Sequence, residues 1–238
     1  MQFRYGKPIP AGSSTTVADQ LLISELFYSI QGESTRAGLP CGFIRLSGCN
    51  LRCTYCDSRY TWDEPGRKMT TDQIAGWLED FPGIMVEITG GEPLLQEAVY
   101  PLMQKLIAEG REVLLETSGS MSIDRVPAEV GIILDLKCPG SGMDTKNEWR
   151  NLEALQTRQK MGSHDEIKFV LSSVRDFNWA SRIVKERRLA ELVPVLFSPV
   201  INLLPPELLA RLILDERLPV RLQLQLHTQI WPDINRGV

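Results

Sequence analysis

The sequence predicts an α/β fold, a partial, TIM-like parallel β/α barrel. Short apolar segments rich in β-forming residues alternate with helical segments of roughly 10–15 residues, which is typical of βαβ units and a parallel sheet. Polar and glycine-rich residues follow the ends of the predicted strands. About six β/α units are too few for a closed eightfold barrel, so we expect the barrel to be open.

Composition favours a single globular domain. The chain has 238 residues, 43% of them hydrophobic, and a net charge of -4, which gives no general attraction to nucleic acid or to anionic membranes. No apolar run approaches the length of a membrane helix, and the N-terminus lacks the layout of a signal peptide. We therefore expect a cytoplasmic protein in which the clustered cysteines serve metal or redox chemistry, and the odd total of five argues against a complete set of disulfides.

The chain is expected to divide into a loose N-terminal leader, 1–20, and one domain, 21–238. Strands are expected at 21–30, 41–46, 84–89, 112–116, 131–136, 166–171, 192–197 and 220–226. Helices are expected at 96–108, 148–160, 174–188 and 206–214, and a further helix after Met69. Thr70 and Gln73 predict a capping box for that further helix.

The most informative motif is a loop with three cysteines in eight residues, Cys49, Cys53 and Cys56, spaced C-x3-C-x2-C. Thiolates are the preferred ligands of iron–sulfur clusters, and three of them leave one iron of a four-iron cluster with an open position. A structural zinc site would need a fourth ligand, and three ordinary buried thiols are the remaining alternative. Of the other cysteines, Cys41 is expected in the core, and Cys138 is not assigned to the cluster.

Further motifs stand where other strands are predicted to end. These are Gly90-Gly91-Glu92-Pro93, Thr117-Ser118-Gly119 and Asp135-Leu136-Lys137. Two adjacent glycines allow the backbone to approach a ligand closely, because no Cβ intervenes. Active sites of parallel α/β folds lie at the carboxyl ends of the strands, so we expect these motifs to converge on the cysteine loop.

The cysteine spacing followed by the Gly-Gly-Glu motif resembles the radical S-adenosylmethionine (SAM) superfamily. The resemblance implies a partial barrel of the radical SAM type and a [4Fe–4S] cluster held by Cys49, Cys53 and Cys56, with SAM on the fourth iron. It implies that Glu92 braces its loop. The SAM-binding residues implied are Tyr55, Cys56, Asp57, Gly91, Ser118, Asp135, Leu136 and Lys137.

A nearer resemblance covers almost the whole chain after residue 21. The segments 27–33, 43–57, 87–93, 116–119, 167–170 and 221–227 are similar to those of the 7-carboxy-7-deazaguanine synthases. That family converts 6-carboxy-5,6,7,8-tetrahydropterin to 7-carboxy-7-deazaguanine with loss of ammonia, on the route to queuosine and related deazapurines. The resemblance implies a SAM- and magnesium-dependent carbon–nitrogen lyase.

The same resemblance assigns a substrate site and a second metal. The substrate-binding residues implied are Ile30, Gln31, Gly32, Arg45 and Thr89. A guanidinium such as that of Arg45 suits a carboxylate, because it donates two parallel hydrogen bonds. Mg²⁺ is implied at Ser58, where the family usually has threonine. Two further departures are Ser34 and Thr228, where the family often has glycine and lysine.

Partners and rival functions remain open at this point. The resemblance implies a homodimer and an electron donor such as flavodoxin or ferredoxin, and the segment 193–214 suits an interface or the core. One rival is a glycyl-radical activating enzyme, which has the same cysteine spacing, acts on a protein and has no need of Gln31, Arg45 or Ser58. The other is a zinc-stabilised binding module.

Overall fold

One mostly parallel sheet forms the frame of the molecule. The structure is a computed structural model that describes residues 19–234 and 236–238, and within them nine strands form a sheet in the order β3-β1-β2-β4-β5-β6-β7-β8-β9. The strands are β1 (Gln20–Ile30), β2 (Pro40–Leu46), β3 (Arg67–Thr70), β4 (Met85–Gly90), β5 (Val113–Thr117), β6 (Gly131–Asp135), β7 (Glu166–Leu171), β8 (Val195–Pro199) and β9 (Arg221–Leu222).

Helices follow most of the parallel strands. They are α1 (Tyr60–Asp63), α2 (Thr71–Leu78), α3 (Val99–Ala108), α4 (Asn151–Lys160), α5 (Val174–Glu186), α6 (Leu189–Leu192), α7 (Pro206–Asp215) and α8 (Leu226–Ile230). Thr70 caps α2, and the predicted capping box with Gln73 is confirmed. Among the described residues, no helix is both long and apolar enough to cross a lipid bilayer.

The sheet is an open, partial barrel, as predicted. From β2 through β4 to β9 every neighbouring pair is parallel, and the sheet ends at β3 and β9 without closing. The first strand departs from this pattern. β1 runs antiparallel to both of its neighbours, so Ile30 at its end pairs with Pro40 at the start of β2. The loop after β1 therefore lies at the opposite end of the sheet from the loop after β2.

Two predicted boundaries shift for identifiable reasons. The helix expected from residue 96 begins at Val99, because the side chain of Gln96 hydrogen-bonds the backbone of Leu22 and Ser47 instead of joining the helix. The strand expected from 192 begins at Val195, because the chain first makes the short helix α6.

The prediction for the last strand, 220–226, is wrong in its second half. Pairing with β8 stops after Leu222, apart from one further bond from the Gln223 N–H to the Phe197 carbonyl. The Leu226 N–H instead donates to the Gly32 carbonyl at 3.0 Å and begins α8. Contact with the loop after β1 thus replaces strand pairing.

Helices and sheet enclose one main hydrophobic core. Phe169, Phe177 and Phe197 are fully buried, and their rings meet edge to face. Cys41 and Cys138 are fully buried free thiols; the first is in the core as predicted. Of the expected leader, 1–20, residues 1–18 lie outside the described part of the chain, and Gln20 is the first residue of β1.

Candidate active site

A cavity of about 660 Å³ lies on the concave side of the sheet and gathers most of the predicted site. The predicted residues that line it are Ile30, Gln31, Gly32, Arg45, Cys49, Cys53, Tyr55, Cys56, Asp57, Ser58, Thr89, Gly91, Ser118, Asp135 and Lys137. Leu136 is not among the lining residues. The whole residue is buried in the core, and its N–H donates to the Lys168 carbonyl at 2.9 Å, so the structure does not bring Leu136 to the cavity wall.

The cysteine loop begins where β2 ends. Gly48 turns the chain with φ 93°, a conformation that glycine adopts without strain, and its N–H donates to the Thr61 carbonyl at 2.7 Å. The Leu51 N–H donates to the Cys49 Sγ at 3.4 Å. The three thiols of the loop are half-buried and unbonded to one another. The loop therefore offers three sulfur donors to one cavity.

This donor set fits an iron–sulfur cluster better than a single ion. Among the described residues, no three His, Cys, Asp or Glu side chains stand close enough together to hold one metal ion. The thiolates of a cubane bind three different irons, so they stand farther apart than the ligands of one ion. Burial raises the pKa of the Cys49 and Cys53 thiols, and the charge of Lys137 partly opposes this shift. Cluster binding at this loop therefore has to displace thiol protons.

The Gly-Gly-Glu loop packs directly on the cysteine loop. A Cβ at Gly91 would lie 2.1 Å from the Gly48 carbonyl oxygen and 2.7 Å from the Cys49 Cβ, so only glycine fits there. Glu92 is fully buried, and it accepts hydrogen bonds from the Thr117 hydroxyl and from the N–H and hydroxyl of Ser118. Glu92 thus braces the loop, as expected, by tying the ends of β4 and β5 together.

The end of β6 supplies an unused acceptor and a cation. Asp135 and Lys137 form an ion pair of 2.7 Å, and both line the cavity. Within the described residues no group donates to Asp135 Oδ1, although that atom is buried. A buried carboxylate oxygen without a partner is costly, so a ligand with a hydrogen-bond donor would stabilise it. This arrangement suits a ligand with hydroxyl or ammonium groups, such as SAM.

Tyr55 and Ser58 lie on either side of the third thiol. The Tyr55 hydroxyl donates to the Val170 carbonyl at 3.1 Å, which fixes the ring against the end of β7. The Ser58 hydroxyl lies 3.9 Å from the Cys56 Sγ and faces the same cavity. An oxygen ligand therefore stands next to the expected cluster, as a magnesium site there would require.

The loop after β1 closes the other end of the cavity. The side chain of Gln31 is held at both ends, because its oxygen accepts the Glu33 N–H and its amide donates one hydrogen bond to Glu87. Gly32 packs against α8, and a Cβ there would lie 2.5 Å from His227 Nδ1. The backbone of Gln31 and the carbonyl of Gly32 are also hydrogen-bonded within the chain, so the second amide N–H of Gln31 is the donor that can contact a ligand.

Arg45 enters the cavity from the middle of the sheet. Its Nε donates to Glu25 at 2.8 Å, and the Tyr60 hydroxyl donates to the same carboxylate oxygen at 2.7 Å. The guanidinium lies over the Phe27 ring, 5.5 Å from its centroid. Glu25 and Phe27 together hold Arg45 in place, with its remaining N–H groups available to an anion.

A buried charge cluster in the cavity was not assigned from the sequence. Lys168 forms ion pairs with Glu33, at 2.8 Å, and with Glu116, and it lies 3.9 Å from Asp135. Burial opposes ionisation of Glu116, yet the charge of Lys168 and hydrogen bonds from Lys168 and Thr89 outweigh it and lower the pKa of Glu116 to about 2. Glu33, Glu116 and Lys168 fall in the segments 27–33, 116–119 and 167–170 of the family resemblance. Their contact depends on the fold, which brings together segments that are far apart in the chain.

Glu87 lies beside that cluster, and its pKa is shifted in the opposite direction to that of Glu116. Its side chain is buried in the cavity wall, where burial first and the charge of Glu116 second raise its pKa well above the ordinary value. Burial thus favours the neutral form of Glu87, whereas Lys168 favours the ionised form of Glu116. Nothing in a single-sequence pattern distinguishes two glutamates on neighbouring strands in this way.

Comparison with known proteins agrees with the predicted family. The model of the radical SAM superfamily matches residues 43–134. The chain is 43% identical over 231 residues to the 7-carboxy-7-deazaguanine synthase of Koribacter versatilis, which covers 91% of this chain and 99% of that protein. It is 44% identical over 219 residues to the 7-carboxy-7-deazaguanine synthase of Chlorobaculum tepidum, and the match covers 92% of this chain and 97% of that protein.

Solved structures agree on the fold. The crystal structure of QueE from Escherichia coli matches with a TM-score of 0.66 at 24% identity, over 87% of this chain and 94% of that chain. Streptococcus suis SuiB matches with a TM-score of 0.54 at 15% identity, over 81% of this chain and 51% of that chain. Likeness to the two synthases runs through nearly their full length and includes the cysteine loop. The chain therefore belongs to the 7-carboxy-7-deazaguanine synthase family of radical SAM enzymes.

Proposed function

We propose that this chain converts 6-carboxy-5,6,7,8-tetrahydropterin to 7-carboxy-7-deazaguanine, a radical ring contraction with loss of ammonia. The observation that carries the proposal is one cavity lined at one end by Cys49, Cys53 and Cys56 and at the other by Gln31 and Gly32. A cluster, SAM and a pterin would share that space. Loss of ammonia from the ring breaks a carbon–nitrogen bond, so the activity falls in the lyase class.

Each end of the cavity has a separate task in this proposal. When bound at the three thiols, the [4Fe–4S] cluster and SAM supply the radical chemistry that removes a hydrogen atom from the substrate. The backbone of Gly91, which lines the cavity, contacts the SAM amino group, and Asp135 Oδ1 accepts a hydrogen bond from SAM. Tyr55 lies against the adenine. The protein positions both reactants and excludes water.

The substrate is held by the middle and far end of the cavity. Arg45 pairs with the pterin carboxylate, and its orientation is fixed by Glu25. Thr89 contacts the pterin while its hydroxyl donates to Glu116 at 3.0 Å. Ile30, Gln31 and Gly32 contact the pterin at the far end. These assignments follow the family resemblance, and the contacts described above support them.

A magnesium ion completes the proposed site, with Ser58 as its protein ligand. Mg²⁺ typically takes few protein ligands and keeps several waters, so one hydroxyl beside the substrate carboxylate suffices. We expect Ser58→Ala to need about tenfold more Mg²⁺ for half-maximal activity, because the oxygen ligand is lost. Ser58→Thr is the matched control and keeps the wild-type requirement. Equal requirements for Ser58→Ala and the wild type would remove Ser58 from the metal site.

Partners and location complete the proposal. The enzyme receives its electron from a small donor such as flavodoxin or ferredoxin, since reduction of the cluster needs a one-electron source. It works in the cytoplasm as a homodimer. Chromatography with light scattering on the anaerobic protein measures its mass, and a monomer would contradict the dimer.

The test is turnover by the anaerobically reconstituted protein. Incubation with the pterin, SAM, Mg²⁺ and a reductant is expected to produce a deazapurine chromophore and ammonia, and omission of any component abolishes both. A glycyl-radical activating enzyme would instead cleave SAM without converting the pterin. It would introduce a radical into a partner polypeptide. A protein that binds only zinc would identify a structural module.

A further inference from the structure

The cysteine loop rests on a second loop, 138–142, which we call the brace loop. Thr54, between Cys53 and Cys56, makes two hydrogen bonds to the brace loop. Its hydroxyl donates to the Gly140 carbonyl at 2.8 Å, and its N–H donates to the Ser141 carbonyl at 3.1 Å. Two of the three thiols therefore flank a residue that is bonded twice to the brace loop.

The brace loop is in turn fixed by Asp176, in the first turn of α5. Asp176 is fully buried, and its Oδ1 accepts the Gly140 N–H at 2.7 Å. Its Oδ2 accepts the N–H and the hydroxyl of Ser172, at 2.9 and 2.7 Å. Gly140 packs closely against Asp176, because a Cβ at Gly140 would lie 2.3 Å from Asp176 Oδ2. One carboxylate thus joins the end of β7, the start of α5 and the brace loop.

The brace loop also continues directly from the segment that carries Asp135 and Lys137. Lys137 is fixed at its backbone by Asn147, which accepts its N–H and donates to its carbonyl, both at 2.9 Å. Inside the brace loop the Ser141 hydroxyl donates to the Cys138 carbonyl at 2.6 Å. A shift of the brace loop would therefore move the thiols relative to the proposed SAM contacts.

We propose that Asp176 is a positioning residue for the cluster: through Gly140 and Thr54 it sets where the thiols stand relative to the SAM-binding end of β6. The inference rests on the proposed function, since it assumes a cluster at the three cysteines. Asp176 touches neither the cluster nor the substrates, and it acts only through the brace loop.

The first test compares Asp176→Asn with Asp165→Asn in the anaerobically reconstituted full-length protein. Asp165 is also buried and accepts a backbone N–H, that of Ile132 at 2.9 Å, but it lies at the amino ends of the strands. Asp165 also forms a buried ion pair with Arg158 at 2.9 Å, so Asp165→Asn disturbs the core more than Asp176→Asn does and is a stringent control. We expect Asp176→Asn to lose iron to a chelator about tenfold faster than Asp165→Asn, as outer partners of metal ligands typically affect retention. Thermal unfolding of both variants without the cluster measures how far each substitution destabilises the fold.

A spectroscopic readout separates positioning from a general loss of stability. The electron paramagnetic resonance signal of the reduced cluster changes when SAM binds to it. We expect that change to be weakened or heterogeneous in Asp176→Asn and normal in Asp165→Asn. Equal rates of iron loss and identical SAM-induced changes in the two variants would overturn the inference.

Thr54 provides a second test that does not disturb the core, because its side chain is exposed. Thr54→Val keeps the shape and removes the bond to Gly140, so iron loss should be about threefold to tenfold faster, the usual effect of one hydrogen bond. Thr54→Ser restores the wild-type rate. If Asp176→Asn does not fold, the two Thr54 variants test the inference on their own. Equal rates of iron loss from Thr54→Val and Thr54→Ser would overturn it.

The outcomes also separate this inference from the proposed function. A wild-type chain that holds no iron–sulfur cluster overturns both together. A wild-type chain that converts the pterin, while Asp176→Asn holds its cluster as firmly as Asp165→Asn, overturns the positioning role alone.

Discussion

Lys168 is the residue on which the charge balance of the cavity depends. Its side chain is 5% exposed, and its ammonium group pairs with the carboxylates of Glu33 and Glu116 from two other parts of the chain. Asp135 stands close by. Removing one partner of a buried ion pair is strongly destabilising, because the remaining charge has neither water nor a counter-charge.

Lys168→Met is expected to lower the free energy of unfolding by about 3–5 kcal/mol at pH 7. In the wild type the pKa of Glu116 is about 2, below the ordinary 4.5, so its contribution is complete above pH 4.5 and is lost as the pH falls toward 2. Without Lys168, burial dominates and raises that pKa above 4.5. The penalty should then grow as the pH rises from 4.5 to 7.

Urea unfolding at pH 5 and pH 7 measures this difference. Lys185→Met is the matched control, because its ion pair with Glu216 is half exposed and contributes little. A cost for Lys168→Met that is equal at both pH values, or no larger than that of Lys185→Met, would contradict the role of Lys168 in balancing the buried carboxylates.

The thiols give a second prediction at this scale. Cys49→Ala removes one of the three sulfur donors, so the reconstituted protein should hold no stable [4Fe–4S] cluster and show no pterin conversion. Cys41→Ala is the control, since its thiol is fully buried in the core and lies outside the cavity lining. Iron and sulfide analysis with anaerobic absorbance checks both. Full turnover by Cys49→Ala would refute the assignment of the cluster.

At the scale of elements, the site is assembled from loops at the ends of neighbouring strands. The loop after β4 packs on the loop after β2 through Gly91, and it is bound to the end of β5 through Glu92. The loop after β6 reaches the cysteine loop through Thr54. Parallel pairing brings these ends to one edge of the sheet, and the contacts between loops fix their geometry.

Glu92→Gln tests one of these contacts. The amide replaces one acceptor oxygen with a donor that faces the N–H and hydroxyl of Ser118. A buried donor left unsatisfied costs about 1–3 kcal/mol, so we expect a loss of stability in that range and weaker SAM binding. Glu97→Gln, at an exposed ion pair with Arg125, is the control with almost no effect. Urea unfolding and equilibrium binding of SAM measure the two effects, and unchanged SAM affinity would limit Glu92 to a structural role.

The sequence predicted the elements better than their ends. Local signals such as the capping box at Thr70 and the glycines at 90–91 specify their structure within a few residues, and the structure confirms them. The end of the last strand was predicted wrongly because Leu226 bonds to Gly32, nearly two hundred positions earlier in the chain. Likewise the ion pair of Lys168 and Glu116 could not be predicted from the sequence, because it forms only when folding brings their strands together.

At the scale of the whole molecule, one cavity contains the proposed sites of the cluster and of the pterin, so ligand binding should raise the free energy of unfolding of the full chain. SAM at 100 times its dissociation constant should raise the free energy of unfolding by about 2.7 kcal/mol. This gain needs the cluster, because SAM is expected to bind through its iron. Calorimetry should therefore show a SAM-dependent rise in the melting temperature of the reconstituted wild type and none in Cys49→Ala. An equal rise in both would separate SAM binding from the cluster.

The reversed direction of β1 has a further consequence. The seven residues of β2 span about 23 Å, and this length separates the turn that holds the thiols from the turn at 31–35. The three thiols and the turn at 31–35 thus lie at opposite ends of one cavity. Substitutions at 31–35, or in α8, which packs on that turn, offer a way to admit differently shaped heterocycles while the machinery that initiates the reaction stays intact.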